Sequence, residues 1–142
     1  MSRGLSLNNP FDLEVSEHWT WLGEVRPTSD PEGLFCQFQS LAAGLRAGIK
    51  NLRNQQIIHR LRTVETIIEK YAPPSENNTD AYVAAVCAAL DVDPEQTIDL
   101  SNPITLATFA KAVIIQEQGS NPFTDDEIQQ AVASILPAQP LV

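Results

Sequence analysis

The chain reads as a mainly α protein: one helical domain with a loop-rich N-terminal lobe. Three observations predict it. Apolar residues recur at i, i+3 and i+4 in several separate segments after residue 40, the interval that puts them on one helix face. Those segments open on Ser, Thr or Asn and several close on Gly or Pro, the residues that begin and end helices. A length of 142 residues is enough for one real core and too short for two. The domain is expected over residues 1–137, with an extended arm over 138–142.

Up to about residue 35, Asn8-Asn9-Pro10, Pro27, Pro31 and Gly33 punctuate the chain with turns rather than a helical period. Trp19 and Trp21 alternate with polar neighbours, and Phe35 and Phe38 do so loosely, which allows a short strand or hairpin. Ser40 then caps a helix over about 41–53, with Leu41, Leu45, Ile49 and Leu52 on one stripe. A short helical stretch follows with Ile57, Ile58 and Leu61. Thr63 caps the next helix, carried by Val64, Ile67, Ile68 and Tyr71 and stopped by Pro73-Pro74. Thr79 caps another, whose stripe is Tyr82, Val83, Val86, Cys87 and Leu90. Asn102-Pro103 starts a longer helix, because Pro at the first helical position gives up an N–H that would be unpaired anyway. Thr124 to Glu127 form a capping box, with Phe123 placed to staple onto Ile128, and that last helix runs to about Leu136.

The helix that begins at Pro103 ends in Glu117-Gln118-Gly119, and its register makes Glu117 the candidate of most interest. Leu106, Ala110, Val113 and Glu117 share one stripe, so the carboxyl points where apolar side chains point. Desolvation there favours the neutral acid, and the partial negative charge at a helix C-terminus pushes the same way. Residue pattern leaves two readings open. Glu117 is a proton donor, or it is an acid at the solvent edge of an amphipathic helix.

Composition excludes several classes. Apolar residues make up 43% and charged residues 19%, which is globular rather than disordered. A formal net charge of −9 argues against nucleic acid as a partner, since phosphate neutralisation needs clustered Lys and Arg. The basic stretch Arg46 to Arg62 reads as a solvated helix face with room for a minor anion contact. Cys36 and Cys87 have no metal-ligand spacing and read as buried free thiols; His18 and His59 stand apart as surface or packing residues, so neither a metal nor a cofactor is expected. No apolar run reaches the length of a membrane span, and no secretory signal is present, so membrane insertion and export by its own signal are not expected. Gly-rich phosphate loops and a serine nucleophile elbow are missing from the sequence.

Several segments together resemble the phage and prophage virion structural protein family. They are Arg3-Gly4-Leu5-Ser6-Leu7-Asn8-Asn9-Pro10, Phe35-Cys36-Gln37-Phe38 leading into Ala43-Gly44-Leu45-Arg46-Ala47, Leu61-Arg62-Thr63-Val64-Glu65-Thr66-Ile67-Ile68, Ala72-Pro73-Pro74-Ser75-Glu76-Asn77-Asn78-Thr79-Asp80-Ala81-Tyr82, and Ile115-Gln116-Glu117-Gln118-Gly119. The match spans nearly the whole chain, and the Pro-Pro-Ser-Glu-Asn-Asn-Thr block is its most specific part. A more distant similarity joins Ala112 to Pro122 to the catalytic helix end of lytic transglycosylases and related lysozyme-like enzymes. There the acid comes first in the chain; here it comes last, after segments that resemble elements following the acid in lysozyme-like glucosaminidases. That order implies a circularly permuted lysozyme-like domain.

The resemblance implies that Glu117 is the general acid of a peptidoglycan-cleaving protein, a muramidase or lytic-transglycosylase-like activity without a cofactor. Glu76 is the candidate second carboxylate by motif. Asn8, Asn9, Asn78 and Tyr82 are candidate groove residues for the glycan strand. The partners implied are peptidoglycan glycan strands and other virion proteins, and the expected location is the virion, or the bacterial cytoplasm before assembly. The sequence departs from the pattern at Phe11, where Gly is expected after Pro10, at Gln118 in place of a small residue or Asn, and at Gln116 in place of His. A second reading keeps the fold and drops the activity, leaving a catalytically inactive structural or adaptor subunit of a phage particle.

Overall fold

The computed structural model describes residues 2–73 and 78–136. In order these form α1 (Arg3–Ser6), β1 (Glu24–Val25), β2 (Gln37–Phe38), α2 (Leu41–Ile57), α3 (Val64–Tyr71), α4 (Thr79–Leu90), α5 (Pro103–Gln118) and α6 (Asp125–Ile135). The mainly α expectation holds. α5 runs through the middle, packed by α4, α2 and α6, while α3 lies on α4 and α2 on α6. Leu106, Phe109, Ala110, Val113 and Ile114 of α5 are all buried, which explains why both sides of that helix read as apolar.

Helix ends follow the sequence signals closely. Ser40, Thr63, Asn102 and Thr124 cap their helices with side-chain oxygens, and Thr124 and Glu127 complete the expected capping box. Phe123 and Ile128 are both buried beside it. Gly119 ends α5 in the left-handed conformation at φ 82°, where a side chain would be strained. Three boundaries differ from expectation. α4 is capped by Asn78, whose carboxamide oxygen accepts from Ala81 N at 3.2 Å, while Thr79 turns inward to donate to Ala72 O at 2.7 Å. α2 continues to Ile57 without a break, because Gln56 is held at its far end by Ile98 O (2.9 Å) and Leu100 N (2.8 Å). Leu61 lies outside the helix, beyond Arg60 at φ 58°. α1 is too short to show a period, and the turn signals around it concealed it.

The N-terminal lobe holds one two-stranded antiparallel hairpin, with Glu24 opposite Phe38 and Val25 opposite Gln37. A single bridge joins Glu14 to Phe35. Trp19 and Trp21 fall just before the hairpin rather than in it. The expected arm over 138–142 lies outside the described residues.

Two glycines in α2 decide how this lobe meets the helices. A Gly inside a helix is unfavourable by about 1 kcal/mol relative to Ala. A Cβ on Gly44 would lie 1.8 Å from the carbonyl oxygen of Asn8, and one on Gly48 would lie 1.9 Å from the ring of Phe11. Their bare backbone is the seat of the Asn8–Phe11 loop. Phe11, the residue that replaces an expected Gly, is fully buried against this seat.

Candidate functional site

The last turn of α5 presents Glu117 and Gln118 in different directions. Gln118 ties down the N-terminal loop: its amide nitrogen donates to Pro10 O at 3.0 Å and to Asp12 Oδ1 at 3.2 Å, and its oxygen accepts from the Ser2 hydroxyl. The substitution that breaks the resemblance thus has a structural task. It delivers Asp12 to the side of Glu117. Asp12 adopts a left-handed backbone at φ 52°, a conformation that costs a non-glycine residue about 1 kcal/mol or more and that the surrounding bonds maintain.

Glu117 is half-buried and meets two groups. The Tyr82 hydroxyl donates to Glu117 Oε2 at 3.0 Å, and the Asp12 carboxyl acts on it as a neighbouring like charge. Burial raises the Glu117 carboxyl from its ordinary 4.5 to about 7, with the like charge of Asp12 adding to the rise and the Tyr82 hydroxyl opposing it. Asp12 is raised too, mainly by burial, against the hydrogen bonds of Gln118 and Glu117 and the charge of Arg3. The pair therefore holds a proton near neutral pH. The direction of the Glu117 shift is the one its register predicted; the contribution of Asp12 was not foreseen.

A cleft of about 790 Å³ passes this pair. Trp19, Trp21, Gln55 and Tyr71 line it along with Glu117 and Asp12. Trp19 is 54% exposed and meets Trp21 edge to face at 6.2 Å. Tyr71 closes the back: its hydroxyl donates to Phe11 O, and its ring meets Tyr82 edge to face at 6.4 Å. Burial pushes both tyrosine hydroxyls well up, so each remains a donor.

Gln55 is the unusual member of the wall. It is 5% exposed, and its amide nitrogen faces Asn51 O at 3.2 Å. A backbone carbonyl only accepts, which fixes the nitrogen there and the oxygen away from it. Gln55 Oε1 is then a buried acceptor with no hydrogen-bond partner among the described residues. Such an atom is uncommon, and this one is closed to solvent, in the wall behind the cleft surface.

Of the sequence-predicted site residues that the structure describes, Glu117 alone lines the cleft. Glu117 and Tyr82 meet directly. Asn8 donates to Phe38 O at 3.1 Å, and Asn9, fully buried, donates to Leu13 O and Cys36 O and accepts from Leu13 N. Both side chains fasten the loop that carries Asp12 to the hairpin. Asn78 is exposed as the cap of α4. Glu76 lies outside the described residues. Sequence reasoning missed Asp12 and Gln55, which carry no local signal; Tyr71 was noted only on a helix stripe, and Trp19 and Trp21 only as strand residues.

Other groups have quieter roles. Cys36 and Cys87 are buried free thiols, the first pushed up to about 12 mainly by burial, so it is no nucleophile at neutral pH. No group of three or more His, Cys, Asp or Glu converges among the described residues. Among them, too, no helix is long and apolar enough to cross a membrane.

No protein-family model matches the chain. It is 34% identical over 131 residues to Protein P5 of Pseudoalteromonas phage PM2, an alignment covering 91% of this chain and 79% of that protein.

Proposed function

This chain belongs to the family of Protein P5 of Pseudoalteromonas phage PM2, and from that premise we propose that it is a virion-associated protein that cleaves peptidoglycan glycan strands, with Glu117 as general acid. The observation that carries the reading is a half-buried carboxyl in the wall of a cleft of about 790 Å³, held by the Tyr82 hydroxyl and raised by burial to about 7. Protonating a glycosidic oxygen requires an acid that keeps its proton near neutral pH, and burial beside Asp12 supplies one. Tyr82 orients the carboxyl through its hydroxyl. Trp19 and Trp21 offer flat apolar faces for sugar rings, and Gln55 lines the same cleft. Asn8 and Asn9 serve binding through the loop they hold, and Asn78 through the start of the helix that carries Tyr82. The lysozyme-like, circularly permuted ancestry inferred from the motifs belongs to this same reading.

Asp12 raises the Glu117 carboxyl as a like charge beside it. Asp12 is therefore the tuner of Glu117 rather than its opposite number. One proton donor carries the cleavage.

A second reading, a catalytically inactive structural or adaptor subunit of the phage particle, draws on a different observation. The chain carries a formal charge of −9, which works against gripping an anionic polymer. A cell-wall solubilisation assay separates the two. The enzyme reading expects wild-type protein to release soluble fragments and Glu117→Gln to lose about 10²-fold or more of that activity. Equal release by both proteins removes Glu117 from the chemistry, and no release by either leaves the structural reading.

A further inference from the structure

A second hollow, of about 450 Å³, lies where α2 ends, on the other side of that helix end from Gln55. Its walls are Arg53, Gln56 and Ile57 of α2, Arg60 and Arg62 of the following loop, and the Thr97–Ser101 segment. These walls are stitched together. Gln56 bonds to Ile98 O and Leu100 N, Ile98 N donates to Arg62 O at 2.8 Å, and Thr63 pairs with Thr97.

Three arginines thus line one hollow, Arg53 half-buried and Arg60 and Arg62 exposed. None of them has an ion-pair partner among the described residues; Arg53 makes one hydrogen bond, to Gln56 Oε1 at 3.4 Å. The acid in the wall is Asp99, whose Oδ1 accepts from the Ser101 N–H at 2.9 Å and hydroxyl at 2.6 Å and whose charge is also favoured by nearby Arg53. Three cations face one engaged carboxylate in a chain that is otherwise strongly acidic. Arg60 is held there on a left-handed backbone at φ 58°, an outlier that persists only where the surroundings enforce it.

We propose that this hollow binds a phosphate group, gripped by Arg53, Arg60 and Arg62. Guanidinium forks match the tetrahedral oxygens of phosphate, and three of them against one carboxylate suit a singly or doubly charged anion. The phosphate has two possible sources, free in solution or at the head of an anionic lipid. Ile57, 54% exposed in the wall, and Ile58, 61% exposed beside it, give the rim an apolar edge that would meet lipid chains. The site is independent of the glycan cleft and of any cleavage there.

Nuclear magnetic resonance titration with inorganic phosphate at low salt, and flotation with phosphatidylglycerol or phosphatidylcholine vesicles, test it together. Saturable shifts confined to the hollow identify free phosphate; binding to the anionic vesicles alone, lost in Ile57→Ser/Ile58→Ser, identifies the headgroup. Either supports the site provided that Arg53→Gln, Arg60→Gln and Arg62→Gln each weaken binding by about tenfold, as loss of a charge-assisted contact should. Arg46→Gln, on α2 but away from the hollow, is expected to leave it unchanged, and melting midpoints show that each variant folds. Binding to neither probe, or equal weakening by Arg46→Gln, overturns the proposal.

Discussion

Glu117→Gln is expected to make the protein more stable at mildly alkaline pH while leaving it nearly unchanged in acid. The carboxyl titrates near its ordinary 4.5 in the unfolded chain and at about 7 in the fold. A folded value above the unfolded one means that the native state holds the proton more tightly. The stability this brings is fully present below 4.5 and is lost as pH rises through 7. Above that, the fold must hold a half-buried negative charge beside Asp12. By linkage, a rise of this size corresponds to about 3 kcal/mol at most, and because solvent reaches part of the group the expected effect is about 1–2 kcal/mol. Glutamine keeps the shape and can still accept from Tyr82. For a chain of this length the variant should melt about 4–8 °C higher at about pH 8.5, with no difference near pH 4. Thermal unfolding followed by circular dichroism across that range measures it. A difference that does not change with pH, or a variant that loses stability as pH rises, refutes the placement of a proton-holding carboxyl at 117.

Three further outcomes follow from the same geometry. Asp12→Asn removes the like charge but not the burial, so the Glu117 titration, read by carbon-detected NMR, should fall by roughly one pH unit and stay above the ordinary range. Gly48→Ala drives a methyl into the Phe11 ring and should cost about 1–3 kcal/mol in urea unfolding, while disturbing Asp12 through the loop it shares with Phe11. Gln55→Met removes the unpaired buried acceptor and should leave the fold at least as stable in urea unfolding.

The helices were readable because each is written locally. A cap, a stripe and a stop all lie in or beside the helix they define, and five of the six helices among the described residues carry all or most of them. The register of Glu117 was readable for the same reason. Its partner was not, since Asp12 reaches it only through a left-handed turn, a seat of two helical glycines and the carboxamide of Gln118. Gly44 and Gly48 are a visible signal that something packs closely on α2, but a sequence does not say what. Gln55 is similar: a polar residue on a buried helix face looks like any amide until its neighbours are known. Asn9 shows the reverse error of emphasis, a residue singled out for a groove and found holding three backbone groups in place.

The bond from Gln118 to Asp12 spans 106 residues, and the one from Tyr82 to Glu117 spans 35. Contacts so distant along a chain close late, because their ordering entropy must be met before they return anything. A ribosome that has finished the first four helices has yet to make the acid at all. Even once made, a glutamate on an undocked α5 is an ordinary ionised side chain in water. Its grip on a proton is conferred when the N-terminal loop and α4 dock against that turn, so a half-synthesised or loosened polypeptide carries only an ordinary carboxylate at 117.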